Sequence, residues 1–292
     1  MIINQSALQA LYKGFRTIFN ESFDAVKPAY DRVAMVVPST VREETYAWLG
    51  AFPSMREWIG ERQVKNLDTQ SYSLRNKDWE STIEVDRNDV EDDSVGIYRP
   101  IIAELGRTAA MHPDQLVFGL MGTGFSTSCY DGQYFFDTDH PVGTGTVSNS
   151  GGGSGAAWYL LDTTRAIKPL IFQSRRSVEF VSKDRPDDEQ VFMRKKYIYG
   201  VDRRDNAGFG LWQLAYGSKQ TLDATSYASA RAAMMAYKDS EGKPLGITPN
   251  LLVVPPSLEG AGRAVLLAER DAAGENNPWF NTAALLVSPW LG

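Results

Sequence analysis

Residues 92–124, DDSVGIYRPIIAELGRTAAMHPDQLVFGLMGTG, form the longest stretch of helical periodicity in the chain. From Val95 to Leu120, apolar or small residues recur mostly three or four positions apart, which is the spacing of one buried helical face. Acidic residues begin the stretch, and Gly122 and Gly124 end it, as is typical of the two ends of a helix. A helix over the periodic run from Val95 to Leu120 would span about 40 Å. We therefore predict one long helix over residues 92–124, against which other elements lie.

Two prolines in this stretch affect where the predicted helix starts and whether it is straight. Pro100 offers an alternative start, because a proline in the first turn does not need its missing N–H. Pro113 removes one backbone hydrogen bond from the helix interior. The helix is therefore predicted to be straight as far as Ala110, and the sequence is compatible with either a bend or a break beyond that residue.

The composition is typical of a globular protein of one large or two ordinary domains, with 292 residues, 43% of them hydrophobic and 23% charged. No apolar run approaches the roughly 20 residues that cross a bilayer, and the N-terminus lacks the pattern of a secretory signal peptide. The single cysteine, Cys129, excludes an intrachain disulfide and favours a reducing compartment. A net charge of -6 argues against tight binding to the phosphates of nucleic acid.

Several shorter elements are predicted before the long helix. Leu8, Leu11, Phe15 and Phe19 follow helical spacing, so residues 5–23 are predicted to form an amphipathic helix. Residues 30–38 are strand-like. Helix-opening capping boxes are predicted at Thr40 with Glu43, for a short helix through Leu49, and at Ser54 with Glu57.

Residues 64–89 read as two extended arms around Asn76 and Lys77. Tyr72 and Leu74 lie on one arm, and Trp79 lies on the other. Because an isolated two-stranded ribbon is only marginally stable in water, these arms are expected to lean on something else. Two alternatives are open: a hairpin packed on its own domain, or an arm that reaches a neighbouring subunit.

The second half of the chain is predicted to mix helices and strands. Residues 134–136 form a short aromatic strand, and residues 143–155 have the composition of a flexible loop. Strands dominate residues 157–216, with a turn at 204–208 and a half-buried strand over 192–199. The remaining predictions are a helix over 223–239, a strand over 251–254, a helix from Ser257 to about Ala268, and a strand over 284–287. Because the strands are grouped in blocks, the fold class is α+β.

Few residues offer the chemistry of an active site, and only two histidines are present. Asp137, Asp139 and His140 are the best candidates for a metal site, but the chain has no second histidine or cysteine at the spacing of a zinc site. A simple turn at residues 139–141 is the alternative. His112 is expected at the bend of the long helix.

Cys129 and His140 would form a nucleophile–base pair if they met in space. The alternative is that Cys129 is a small buried apolar residue. The sequence GTGFST at residues 122–127 lacks the lysine and the preceding strand of a phosphate-binding loop. We therefore predict no catalytic, cofactor-binding or metal-binding residue, and no enzyme activity.

Five segments, in this order along the chain, carry a resemblance to a known family. They are YDGQYFFDTDHP (130–141), WYLLDTTRAIKPLIFQSRR (158–176), YGVDRRDNAGFGLWQLAYGS (199–218), GKPLGITPNLLVVPPSLE (242–259) and NTAALLVSPWL (281–291). None of them is a catalytic signature. Together they resemble the Mu-like phage major head subunit family, the gpT type, over nearly the whole chain.

The resemblance implies the α+β, Hong Kong 97-type fold of tailed-phage major capsid proteins. It divides the chain into an N-terminal arm (1–60), an extended β-hairpin loop (61–90), the spine helix of a peripheral domain (91–122), a connecting segment with a flexible Gly/Ser loop (123–156), the peripheral-domain sheet (157–222) and an axial domain (223–292). The resemblance favours the extended loop that reaches a neighbouring subunit. Deleting residues 68–80 is therefore expected to leave a folded monomer that cannot form closed shells.

The implied function is structural: many copies self-assemble as hexamers and pentamers into an icosahedral shell around double-stranded DNA. The implied partners are other copies of the chain, a separate scaffolding protein, a portal, and decoration proteins in some relatives. No cofactor, membrane contact or sequence-specific DNA binding is expected. The implied location is the virion, after assembly in the cytoplasm of the host bacterium.

Eight apolar or aromatic residues are predicted to make assembly contacts: Leu11, Phe15, Phe19, Tyr72, Leu74, Trp79, Trp279 and Trp290. Ordinary core packing is the alternative for each of them. Two other function classes stay open, namely a soluble enzyme that uses Cys129, Asp139 and His140, and a different phage structural component such as a minor head or tail protein.

Overall fold

A computed structural model describes residues 4–47, 49, 72–92, 94–185, 187–271 and 273–292. The described residues contain seven α-helices: α1 (Gln5–Ala25), α2 (Tyr30–Val33), α3 (Arg87–Glu91), α4 (Arg99–Gly122), α5 (Glu189–Arg194), α6 (Ala224–Met235) and α7 (Glu259–Leu266). They contain thirteen strands: β1 (Ala34–Pro38), β2 (Glu43–Tyr46), β3 (Tyr72–Arg75), β4 (Lys77–Asp86), β5 (His140–Val142), β6 (Gly145–Val147), β7 (Ser150–Gly153), β8 (Trp158–Leu161), β9 (Leu170–Lys183), β10 (Lys196–Phe209), β11 (Ala215–Lys219), β12 (Leu251–Val254) and β13 (Ala284–Val287). None of the described helices is both long and apolar enough to cross a bilayer.

The strands form two main sheets. One has the order β1-β9-β10-β4, with β1 parallel to β9 and the other neighbours antiparallel. The other has the order β13-β12-β8-β11-β7 and is also mixed. Two short ribbons, β2–β3 and β5–β6, are formed by the remaining named strands. Helices and mixed sheets in this arrangement confirm the predicted α+β class.

Three long elements run through two separate hydrophobic cores. The first core lies around the five-stranded sheet and includes the C-terminal half of α4 at Val117 and Phe118. The second lies between α1 and the four-stranded sheet and includes the N-terminal half of α4 at Ile102 and Leu105. β9 and β10 also contribute residues to both cores. The long helix is therefore a beam that connects the two cores, as its length predicted.

Helix α1 packs against α4. Phe15 packs edge-on against Tyr199 of β10, with ring centroids 5.1 Å apart, and Phe19 lies 5.3 Å from Phe180 of β9. The backbones of α1 and α4 approach at Gly106, where an added Cβ would lie 2.5 Å from the Phe19 carbonyl oxygen. The helix predicted at residues 5–23 is confirmed, and α4 is the partner that the sequence did not identify.

The long helix begins later than predicted, at Arg99. Residues 95–98 form a separate 3-10 turn, so the predicted start at Asp92 was wrong. The Tyr98 hydroxyl donates to the Asp89 carboxylate and accepts from the Asp86 N–H, which holds the chain in a bend before α4. Pro100 lies in the first turn, so the alternative start at this proline is confirmed.

Pro113 lies inside α4 without interrupting it. A proline at this position leaves the carbonyl of residue 109 without its helical donor. The Nη1 atom of Arg203, on β10, donates to the Ala109 carbonyl at 3.1 Å. The helix is therefore unbroken because a neighbouring strand replaces the missing hydrogen bond.

Within residues 72–89, the part that the structure describes, the two extended arms predicted at residues 64–89 do not pair with each other. β3 pairs with β2, with Tyr72 opposite Tyr46, whereas β4 pairs with β10 along its whole length. The described part of this segment therefore corrects the hairpin prediction: the ribbon is β2–β3. Residues 43–46 form its first strand, which corrects the short helix predicted after Thr40. The capping box predicted at Ser54 and Glu57, and the start of the predicted loop, lie outside the described residues.

Buried amides fasten the base of this ribbon to the four-stranded sheet. The Gln173 Nε2 atom donates to the Asn76 Oδ1 atom at 2.8 Å, and the Asn76 Nδ2 atom donates to the Ser39 Oγ atom at 2.9 Å. The Tyr46 hydroxyl donates to Gln173 at 2.8 Å, and burial raises the pKa of Tyr46 to about 12. The ribbon thus leans on its own chain, as the marginal stability of an isolated ribbon requires.

The strand block at residues 157–222 is divided between the two sheets. β9 and β10 are continuous, which corrects the turn predicted at 204–208, while β8 and β11 pair next to β12. In the five-stranded sheet, β8 and β11 precede residue 222, whereas β12 and β13 follow it. A domain boundary at residue 222 would therefore cut through this sheet. Residues 189–194 are helical, so the strand predicted at 192–199 begins only at Lys196.

Other predictions in the second half have mixed outcomes. The strands predicted at 251–254 and 284–287 are confirmed, as are the helices predicted at 223–239 and 257–268, within a few residues at their ends. Residues 134–136 do not form a strand. The loop predicted at 143–155 contains β6 and β7, since glycine backbones pair there with neighbouring strands.

Candidate assembly interface

Seven of the eight predicted assembly residues, all except Trp79, belong to or pack against the chain's own hydrophobic cores. Phe15, Phe19 and Leu74 are at most 7% exposed, which leaves them little surface for a second copy. Partly buried against the two cores are Leu11, Tyr72, Trp279 and Trp290. The structure of the single chain shows their contacts within the subunit, and an assembly role for the eight residues stays a prediction.

Two of the predicted residues fasten the ribbon segment to β10. The Tyr72 hydroxyl accepts from the Phe209 N–H at 3.0 Å. The Trp79 Nε1 atom donates to the Asp205 carbonyl at 3.3 Å, and its ring contacts His112 at a centroid distance of 4.7 Å. Both side chains hold β3 and β4 against the rest of the subunit.

A polar cluster lies where the two hydrophobic cores meet, and the sequence analysis missed it. The guanidinium of Arg203 pairs with the carboxylate of Asp205, whose side chain is fully buried. The Nε2 atom of His112 lies 3.4 Å from the Asp205 Oδ1 atom. Arg203 and Asp205 occupy the inward-facing positions of β10 between Val201 and Ala207. The sequence contained two signals for this cluster. Two charged residues lie on the buried face of an alternating strand, and a proline lies in the facing helix.

A second polar cluster brings together Cys129, Asp131 and His140. The Cys129 thiol donates to the Asp131 Oδ1 atom at 3.1 Å, and the His140 Nδ1 atom lies 2.7 Å from the Asp131 Oδ2 atom. The His140 Nε2 atom lies 3.1 Å from the Asn149 Oδ1 atom, and the imidazole stacks on Trp212. The amide nitrogen of Asn149 donates to the Phe135 carbonyl at 2.8 Å, which fixes its oxygen towards His140.

This arrangement differs from both enzyme-like sites considered from the sequence. Asp139 is exposed and lies outside the cluster, and Asp131 takes its place. The thiol of Cys129 faces a carboxylate rather than the imidazole, and burial together with the Asp131 charge raises the pKa of Cys129 well above its usual range. A thiol with a raised pKa is a poor nucleophile at neutral pH.

The same three side chains could offer ligand atoms to a metal ion, since those atoms lie within 4.8 Å of one another. Both nitrogens of His140 face oxygen acceptors, so a metal would have to displace the Asp131 hydrogen bond. Burial alone would raise the pKa of Asp131, but hydrogen bonds from His140 and Cys129 outweigh it and lower that pKa. The geometry is that of a buried hydrogen-bonded cluster that joins the 129–131 turn to β5.

The outward face of the four-stranded sheet is polar and rich in acidic residues. Glu80, Asp202 and Glu179 lie side by side on β4, β10 and β9. The next row carries Asp78 and Arg204, and Arg176 pairs with Asp202. Like charges on neighbouring strands repel, so the adjacent arginines offset the carboxylates.

Comparison with known proteins identifies the family of this chain. Residues 8–291 match the family described as the Mu-like prophage major head subunit gpT. The major capsid protein of Escherichia phage Mu is 41% identical over an alignment that covers 100% of both chains. The chain belongs to the Mu-like major head subunit family.

Solved structures of Mu-like head subunit relatives agree with this assignment. A chain of the procapsid of bacteriophage JBD30 is 46% identical, with a TM-score of 0.87 over 99% of this chain and 100% of that chain. A chain of the JBD30 capsid decorated with minor capsid protein trimers is 35% identical, with a TM-score of 0.79 over 90% of this chain and 91% of that one. The predicted capsid fold is confirmed, and the Mu-like head subunit is a major capsid protein of a tailed phage.

Proposed function

We propose that many copies of this head subunit assemble as hexamers and pentamers into an icosahedral shell that encloses double-stranded DNA. The observation that carries the proposal is similarity along the entire chain to a subunit of an assembled procapsid. The architecture supports it, because one helix and two long strands connect two cores into an extended subunit wall.

A revised division of the subunit follows from its strand pairing. We assign α4 as the spine, the four-stranded sheet with α1 to the peripheral domain, and the five-stranded sheet with α6 and α7 to the axial domain. The intersubunit loop is assigned to the segment between β2 and β3, which lies largely outside the described residues. Residues 5–25 then belong to the peripheral domain, where Phe15 and Phe19 are buried, rather than to a free arm.

The proposal also includes further partners of the shell. The net charge of -6 suits a wall that DNA touches without tight phosphate binding. Decoration proteins are proposed because a relative's capsid carries minor capsid protein trimers. A separate scaffolding protein, a portal and assembly in the host cytoplasm complete the proposal.

The size of the purified assembly tests the function. The chain, expressed with its phage's own scaffolding protein, is expected to yield closed shells by negative-stain imaging and light scattering. Discrete dimers would contradict the capsid function, and rings or tubes would favour a minor head or tail role.

A loop replacement tests the proposed extended loop. The deletion of residues 68–80, which the family resemblance suggested as a test, would remove β3 and part of β4. It would therefore damage the fold. Replacing residues 50–69 with a short Gly/Ser linker leaves β2 and β3 in place. We expect a folded subunit by circular dichroism that forms no closed shells; normal shells would exclude this segment as an intersubunit contact.

We further propose that the subunit has no catalytic role. The raised pKa of Cys129 and its hydrogen bond to Asp131 support this. Shells of the Cys129→Ala variant are expected to equal those of the wild type in size and yield. A loss of any measurable hydrolytic activity on that change would favour the enzyme alternative.

A further inference from the structure

The hydrogen-bond partners of His140 fix which of its two ring nitrogens carries a hydrogen. The Asn149 Nδ2 atom faces three backbone carbonyl oxygens, the nearest of them that of Phe135 at 2.8 Å. The Asn149 Oδ1 atom accepts from the Asp137 N–H at 2.9 Å and lies 3.1 Å from the His140 Nε2 atom. Because the amide is oriented in this way, Nε2 must be the donor to Oδ1.

The other ring nitrogen of His140, Nδ1, carries a lone pair in the neutral imidazole. It lies 2.7 Å from the Asp131 Oδ2 atom, and lone pairs on these two atoms repel unless a proton or a metal ion lies between them. The imidazole is fully buried and stacks on Trp212 with ring centroids 4.0 Å apart. A buried histidine whose far nitrogen donates to an oxygen while its near nitrogen faces a carboxylate has the arrangement of a metal ligand with its supporting hydrogen bond.

Cys129 offers a third ligand atom at the same place. Its Sγ atom lies 3.1 Å from the Asp131 Oδ1 atom, and one ligand atom from each of Cys129, Asp131 and His140 lies within 4.8 Å of the other two. Tetrahedral zinc, with bonds of about 2.0 Å to N or O and about 2.3 Å to S, holds such atoms roughly 3.3–3.5 Å apart. The observed separations bracket this range, so small side-chain rotations would place all three atoms around one ion.

The backbone presents these side chains from two segments that are held independently. Residues 129–133 form a tight turn, closed by the hydrogen bond from the Cys129 N–H to the Gln133 carbonyl at 2.8 Å, with Gly132 in the left-handed region at φ 87°. His140 begins β5, which pairs with β6. Because both segments are already ordered, an ion that binds between them does not have to order a loop.

We propose that the Cys129 Sγ atom, an Asp131 carboxylate oxygen and the His140 Nδ1 atom bind one zinc ion, which joins the 129–133 turn to β5. Thiolate, imidazole and carboxylate together suit zinc rather than magnesium or calcium. One Zn²⁺ replaces two protons, that of the thiol and that between Nδ1 and Asp131, so the charge of the site is unchanged. A water molecule fills the fourth tetrahedral position. The inference goes beyond the shell function: the ion stabilises the subunit, and shells form without it.

Zinc retention is the first test. The dissociated subunit, stripped with a chelator and then dialysed against buffered Zn²⁺, is expected to retain one zinc per chain by atomic emission. Cys129→Ala is expected to lower the zinc affinity at least about tenfold, since even changes outside the ligands cost about 10–100-fold. The matched control is Asp139→Asn, which removes an exposed carboxylate beside His140 and is expected to bind zinc as the wild type does. No zinc in the wild type, or equal zinc in the wild type and Cys129→Ala, would overturn the site.

Cobalt substitution and thermal unfolding form the second test. Co²⁺ bound through a thiolate has an intense charge-transfer band in the near ultraviolet, so the band is expected in the wild type and not in Cys129→Ala. Saturating Zn²⁺ is expected to raise the Tm of the wild-type subunit by about 4 °C or more, because the ion binds only the folded chain. Cooperative unfolding of Cys129→Ala in chelator, with no rise on adding Zn²⁺, separates loss of a ligand from misfolding. A cobalt complex without the band, or an equal rise in Tm for both proteins, would show that Cys129 is not a ligand and overturn the proposal.

Discussion

Pro113 and Arg203 lie on different elements but affect the same backbone group, the carbonyl of Ala109. The proline removes the donor that the Ala109 carbonyl would use, and the arginine supplies another at 3.1 Å. The same guanidinium neutralises the buried carboxylate of Asp205. One side chain therefore makes both an interior proline and a buried acid tolerable at the junction of the two cores.

Removal of this guanidinium is expected to be strongly destabilising. Arg203→Met leaves the Asp205 carboxylate buried without its cation, and should lower the free energy of unfolding by about 3–5 kcal/mol. In a Pro113→Ala background the new N–H can serve Ala109, so the same change should cost about 1 kcal/mol less. Urea unfolding of the dissociated subunit measures both values.

Arg176→Met is the matched control for that prediction. Arg176 pairs with Asp202 at the surface, with half of its side chain exposed, so its loss should cost less than about 1 kcal/mol. Equal losses for the two arginines would show that the buried junction has no special role.

Asp131 is expected to make stability depend on pH. Its folded pKa is below the ordinary value of 3.8, so its contribution is present above about pH 4 and is lost as the pH falls through the folded pKa. Asp131→Asn should lower the free energy of unfolding by about 1–3 kcal/mol at pH 7, and the difference from the wild type should shrink under acid conditions. Asp139→Asn changes the same charge at an exposed position and should have little effect at either pH.

Among the elements, α1 and α4 depend on one close backbone approach. A Cβ at Gly106 would lie 2.5 Å from the Phe19 carbonyl oxygen, so the helices would have to separate. Gly106→Ala is expected to lower the free energy of unfolding by about 1–3 kcal/mol and to expose residues 26–29 to protease. Gly119, in the same helix, has no atom within 4 Å of an added Cβ, so Gly119→Ala should stabilise by about 0.5–1 kcal/mol. Similar stability for the two variants would contradict close packing at Gly106.

The strands show why some elements were predicted wrongly from the sequence. β10 has 14 residues, yet the sequence predicted a turn at residues 204–208 within it. Arg203, Arg204 and Asp205 resemble turn residues locally, but the sheet accommodates them through irregular register between β9 and β10. By contrast, α6 and β12 were located correctly because each has a strong local pattern, helical in one and continuously apolar in the other.

At the scale of the whole molecule, the two hydrophobic cores are expected to unfold together. α4, β9 and β10 contribute side chains to both, so neither core can lose these elements alone. Phe19→Ala in the second core and Leu252→Ala in the first should each lower the free energy of unfolding by about 2–5 kcal/mol. Each variant should show a single transition, with faster amide exchange in both sheets. Two separate transitions in the dissociated subunit would contradict this coupling.

The amino-acid sequence by itself determined the α+β class, the amphipathic helices, the apolar strands and the resemblance to a capsid family, because periodicity and motif order are local properties of the chain. Only the tertiary structure decided which strands pair, where the two cores divide, and which polar groups meet at Asp131 and Asp205. These outcomes join residues far apart in sequence, as when Arg203 completes a helix through Pro113. The long helix was predicted from its pattern, but its continuity depends on a strand about 90 residues away.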